Sequence, residues 1–148
     1  MTEHKFHLVT PKDALWIWPE IEPLINKGLQ NSSGEADAEI FFLPIYQGQQ
    51  QLWIGLDGTK GPIPTVLITE VLRYPLKTAM YVHIWATRSG YDYDPWVKAF
   101  EEVKDSARVN GCDYIEARAR KGLAKKLVTR DGWTEKQSVI TIELQEDG

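Results

Sequence analysis

The stretch that decides the fold is Lys77–Arg120, "KTAMYVHIWATRSGYDYDPWVKAFEEVKDSARVNGCDYIEARAR". It opens on an apolar run, Lys77–Ala86, of the kind that makes a largely buried strand. A polar loop containing one glycine, Gly90, comes next, and then the period changes. From Asp94 onward, Trp96, Phe100, Val103 and Ala107 recur at helical spacing and form one apolar stripe. Asp94 stands where an N-cap is expected, with Pro95 at the first helical position. Arg108 in the last turn and Gly111 just past it frame the other end. "CDYIEARAR", Cys112–Arg120, then reads as a strand. Strand, helix and strand in this order demand a parallel pair joined by a crossover.

Upstream, "IPTVLITEVLRYP" (Ile63–Pro75) is rich in β-branched residues and bounded by prolines, so it reads as a buried strand. "QQLWIGL" (Gln50–Leu56) alternates enough for another, with the turn signal "DGTKGP" after it. With Lys77–Ala86 these make three consecutive strands on short connections, an antiparallel meander. Nearer the start, "KFHLV" (Lys5–Val9) is a short strand. The segment Thr10–Leu29 has Leu15, Trp18, Ile21 and Ile25 at helical spacing. It also carries Pro19 and Pro23, which predict one or two short helices broken near Pro19. "EADAEIFFLPIYQG" (Glu35–Gly48) is a second helical segment, ending near Pro44 and Gly48. Downstream, Lys121–Trp133 reads as a short helix and "SVITIEL" (Ser138–Leu144) as a closing strand. The expected fold is α/β: one domain over residues 1–148, a mixed sheet with the meander followed by a βαβ unit, and helices on both faces.

Composition narrows the function classes. The 148 residues suit a single core. A net charge of -4 argues against non-specific nucleic-acid binding. The lone Cys112 rules out a disulfide within the chain and fits a reducing cytoplasm. No apolar run nears the roughly 20 residues that span a bilayer, and the N-terminus lacks a signal-peptide pattern. Six tryptophans are many for this length and predict an aromatic-rich core. Trp16 and Trp18 are the exceptions, since their proline-interrupted segment offers a poor stripe and leaves one of them for surface contacts.

The element order resembles that of the GCN5-related N-acetyltransferases. The strongest local match is "LAKKLVTRDGW", Leu123–Trp133, similar to the family's late helix through Ala124, Leu127, Gly132 and Trp133. Together with "LWIGL", "ITEVLRYP", "NGCDYIEARARKG" and "DGW", the chain resembles a group of small bacteriophage proteins with this fold, from about Glu35 onward. The resemblance implies a cofactor loop at the strand-to-helix junction, where backbone N–H groups hold the pyrophosphate of acetyl-CoA. Here that loop supplies Arg88, Ser89 and Gly90. Its spacing and glycine count depart from the family pattern, and Asp92 and Asp94 bring negative charge to where a pyrophosphate would sit. The resemblance also implies a tyrosine that protonates the leaving thiolate, and the matching position is Val128, which transfers no proton.

The candidates for a general base are Glu70 in "ITEVL" and His83 in "YVHIW", both carried by central strands. The simpler reading places Glu70 at the sheet's solvated edge or pairs it with Arg73 or Arg88, and makes His83 a hydrogen-bonded structural residue among aromatics. His4 and His7 lack a third ligand nearby, so no metal site is expected. Cys112 reads as a small packed residue rather than a nucleophile. The basic run Arg118, Arg120, Lys121, Lys125 and Lys126 reads as a solvated charged face, or else as a clamp for an anionic ligand or acidic partner.

Two functions follow from the resemblance. One is a non-catalytic bacteriophage protein with a degenerate cofactor loop. It would need no cofactor, would meet virion proteins or a host protein, and would reside in the infected cell's cytoplasm or in the virion. The other is an acyl-CoA-dependent N-acyltransferase with an atypical cofactor site. It would use acetyl-CoA or another acyl-CoA between the meander and the Cys112–Arg120 strand, with Glu70 or His83 as base. Neither reading expects nucleic acid or a membrane as partner.

Overall fold

The computed structural model of the chain describes residues 4–29, 37–117, 127–128, 132–134, 142 and 144. In chain order the elements are β1 (Lys5–Val9), α1 (Pro11–Gly28), α2 (Glu39–Tyr46), β2 (Gln51–Leu56), β3 (Thr65–Arg73), β4 (Thr78–Thr87), α3 (Asp94–Ala99), α4 (Glu101–Val109) and β5 (Tyr114–Ala117). The strands lie in the sheet in that same order. From β1 to β4 each strand runs antiparallel to the one before it. β5 returns parallel to β4, pairing Ala79 with Tyr114 and Val82 with Ala117. This is the meander followed by a βαβ unit. The basic run from Arg118 and most of the late helix and closing strand lie outside the described residues.

The sheet has a core on each face. On one, Leu52, Ile54, Val66, Ile68, Ile84 and Ala86 pack under α1 and α2, meeting Trp18, Ile21, Ile25, Phe41 and Ile45. On the other, Phe6, Trp53, Leu67, Met80 and Val82 pack under Trp96, Phe100, Val103 and Ala107 of α3 and α4. Trp18 is buried and Trp16 keeps 77% of its exposure, so one of the two does stand at the surface.

Three expectations about helices change. α1 runs unbroken for 18 residues with Pro19 and Pro23 inside it. Both prolines are exposed, one turn apart, so the carbonyls that lose a partner face water, while the buried stripe on the opposite side holds the helix down. Thr10 caps it, its Oγ1 accepting the Asp13 N–H at 3.2 Å. The Asp94–Val109 helix is divided at Phe100, whose ring is fully buried and stacks on Trp85 at 4.9 Å. Asp94 is not the cap. Tyr93 is, with its carbonyl accepting from both Trp96 and Val97 at 2.9 Å, and Asp94 begins the helix proper.

Candidate functional site

The pairing of β3 with β4 slips by one residue between Ile68, opposite Ile84, and Thr69, opposite Val82. His83 is the extra residue, a β-bulge in the central strand. The bulge resets the alternation of β4, so that Val82 packs in the α3–α4 core and Ile84 in the α1–α2 core. The His83 ring lies on the α1–α2 side, 5.7 Å from Phe41 of α2 and edge-on to Tyr81 at 4.7 Å.

Glu70 stands beside Tyr81 on the neighbouring strand. Its Oε1 is 2.8 Å from His83 Nε2. The sequence reading paired Glu70 with Arg73 or Arg88, but the bulge delivers His83 instead, and Arg88 donates its Nε–H to the Ile63 carbonyl at 3.1 Å. The two side chains keep 23% (His83) and 28% (Glu70) of their exposure, so the pair is partly desolvated and still reachable from solvent. With Nε2 against a carboxylate oxygen, the imidazole proton belongs on Nε2 and the lone pair on Nδ1. A base held in one tautomer by a carboxylate is an arrangement suited to proton abstraction.

Gln50, just before β2, completes the group, and the sequence reading missed it. Its Nε2–H donates to Glu70 Oε1 at 3.2 Å and lies 3.4 Å from His83 Nε2. The only available signal was parity: Gln50 shares a strand face with Leu52 and Ile54. Beyond Tyr81, the parallel register brings Glu116 of β5 onto the same row and face.

The loop after β4 is a turn from Arg88 to Tyr91, closed by the Tyr91 N–H to the Arg88 carbonyl at 3.2 Å, with Gly90 at φ +90°. Ser89 Oγ accepts from Lys27 Nζ, which reaches across from the end of α1. Lys27 too was not foreseen. The donors at the start of α3 are engaged: Asp92 Oδ1 accepts the Asp94 N–H at 3.3 Å, Pro95 has none, and Trp96 and Val97 bond Tyr93. An anion therefore meets side chains and the Ser89–Gly90 turn here rather than a helix terminus. The loop that positions Arg88, Ser89 and Gly90 adjoins a small recess of about 10 Å³, room for a single water, lined by Lys27, Gly28, Ala86, Thr87 and Tyr93.

The other candidates take ordinary places. Cys112 packs half-buried against the α3–α4 core, and burial pushes its thiol up, away from the reactive thiolate. His4 rests edge-on against Trp96 at 4.8 Å. Among the described residues no three His, Cys, Asp or Glu side chains gather as a metal site, and no helix is long and apolar enough to cross a membrane. Val128 is partly exposed at 41%.

No protein-family model matches the chain, and no curated protein matches it. Solved structures do. An aminoglycoside acetyltransferase from an uncultured soil metagenomic sample, in complex with sisomicin, is 16% identical with a TM-score of 0.70, over 96% of this chain and 97% of that one. A probable acetyltransferase is 12% identical with a TM-score of 0.73, over 97% and 99%. The ribosomal-protein-alanine N-acetyltransferase of Brucella melitensis biovar Abortus 2308 is 16% identical with a TM-score of 0.69, over 97% and 100%. The chain thus has the fold of the GCN5-related N-acetyltransferases. Nothing in these similarities supports the bacteriophage link.

Proposed function

We propose that the protein is an N-acyltransferase that moves an acyl group from an acyl-CoA, acetyl-CoA being the simplest, to an amine. The observation that carries this reading is the 2.8 Å contact between His83 Nε2 and Glu70 Oε1 at the bulge of the central strand. Similar structures described as acetyltransferases support it at the level of fold.

When bound, the acyl-CoA supplies the thioester carbonyl. His83 Nδ1 takes one proton from the ammonium acceptor to free the nitrogen's lone pair. The amine nitrogen then forms the new C–N bond as the C–S bond breaks, and the second proton leaves the nitrogen to water. Glu70 steadies the resulting imidazolium through Nε2–H. The thiolate takes its proton from water, since Val128 has none to give. Tyr81 and Glu116, sharing a face with the pair, suit an acceptor that arrives as an ammonium ion.

The test is release of free thiol from acetyl-CoA in the presence of a panel of primary amines. His83→Ala and Glu70→Gln should each lower kcat/KM on the order of 100-fold. Turnover unaffected by both changes would remove the pair from the mechanism. The engaged donors at the start of α3 and the valine at position 128 favour a second reading, a non-catalytic scaffold that meets a virion or host protein. No thiol release with any amine, together with no saturable acetyl-CoA binding by calorimetry, would select it.

A further inference from the structure

We propose that Gln50 is a positioning residue of the Glu70–His83 pair. Its carboxamide donates to Glu70 Oε1 and so holds that carboxyl turned toward His83 Nε2. The catalytic meaning of this rests on the acyltransfer reading, whereas the geometry does not. Three polar atoms form a triangle: Glu70 Oε1 to His83 Nε2 at 2.8 Å, Gln50 Nε2 to Glu70 Oε1 at 3.2 Å, and Gln50 Nε2 to His83 Nε2 at 3.4 Å. One carboxylate oxygen accepts from both nitrogens, an arrangement that suits its negative charge.

The amide orientation follows from the same charge. Turned over, Gln50 would bring its carbonyl oxygen to Glu70 Oε1, acceptor against acceptor. In the orientation observed, Gln50 Oε1 is buried and has no hydrogen-bond partner among the described residues. An orphaned buried carbonyl is costly, and methionine would fill the same space without it. A glutamine kept there for packing alone is therefore a poor choice, and the donor end accounts for it. The titratable groups facing the pair are Tyr81, edge-on to the imidazole, and Glu116 on the same face across Tyr81, while Phe41 of α2 covers it without charge.

Two variants test the role. Gln50→Met keeps the volume and removes the donor. Gln50→Leu removes the carboxamide altogether. In 15N NMR of the neutral imidazole at alkaline pH, His83 should hold the Nε2–H tautomer in the unaltered protein and lose several-fold of that preference in both variants. In the same variants kcat should fall with KM for acetyl-CoA unchanged. The tautomer readout stands or falls without any turnover, so an inactive protein tests the acyltransfer reading separately. If Gln50→Met does not fold, Gln50→Leu replaces it. A His83 tautomer unmoved in the folded variants would overturn the proposal and leave Gln50 as a packing residue.

Discussion

Gly55 shows how one residue can set the distance between a helix and a sheet. A Cβ placed there would lie 2.4 Å from Thr65 Cγ2 and 2.6 Å from Trp96 Cζ3. Neither neighbour can give way cheaply. Thr65 is tied by its hydroxyl to the Ala86 carbonyl and to Thr87, at 3.0 and 2.9 Å. Trp96 is 1% exposed, with the Phe6 ring 5.6 Å away. Gly55→Ala should therefore destabilise the fold by about 1–3 kcal/mol, the range for forcing a group into a packed core. Urea denaturation checks it, with the midpoint falling and the slope unchanged. Gly90→Ala is a different case, because open space surrounds that position and only its φ of +90° opposes a side chain. A glycine inside the strand pattern "QLWIGL" hinted at a close approach. That the approaching group was Trp96, 41 positions on, could not be read from the sequence.

At the level of elements, α1 makes the sharper test. Pro19 and Pro23 sit on its solvent side and each removes a ladder hydrogen bond, while Ala14, Trp18, Ile21, Leu24 and Ile25 hold the other side in the core. Proline in a helix interior costs about 3 kcal/mol relative to alanine. Pro19 is exposed, so the carbonyl it leaves unpaired keeps water as a partner, and Pro19→Ala should stabilise by roughly 1–3 kcal/mol. A rise in Tm is the expected result, and a fall would mean that the proline shapes α1 for a purpose the core does not explain. This also shows what the sequence could reveal. Strands β2, β3 and β4 were legible because alternation and β-branched residues report a local state. The break expected at Pro19 was not found because the rule describes a helix alone, whereas burial of the opposite stripe decided the outcome. The cap was placed one residue late for a similar reason, since Asp94 and Tyr93 differ only in which carbonyl the first turn uses. Glu70 and His83 were each recognised as candidates, but not as partners. Their contact depends on a one-residue slip in register, and a slip of one moves a side chain to the other face.

For the molecule as a whole, the question is how a donor could be held between the loop and His83. Thr87 lies four residues past His83 along β4, or roughly 13 Å at about 3.3 Å per residue. An acyl donor engaging both ends must therefore be extended along the strand. At the far end, Lys27 and Arg88 bring two positive charges and Asp92 and Asp94 two negative ones. The donors at the start of α3 are already engaged, as described above. A dissociation constant of one micromolar corresponds to about 8 kcal/mol, and a phosphate cradle reaches that with several aligned N–H groups and positive potential. With side chains and the Ser89–Gly90 turn in place of a helix terminus, acetyl-CoA should bind saturably but more weakly than micromolar, and more weakly still as salt rises, because exposed charge pairs are screened. Lys27→Ala should loosen binding and Asp92→Asn should tighten it, since one removes a positive charge beside Ser89 and the other removes a negative charge from the loop. Titration calorimetry at low and moderate salt reads all three. Low-micromolar binding indifferent to salt, Lys27 and Asp92 would show that the donor's phosphates are held somewhere other than this loop.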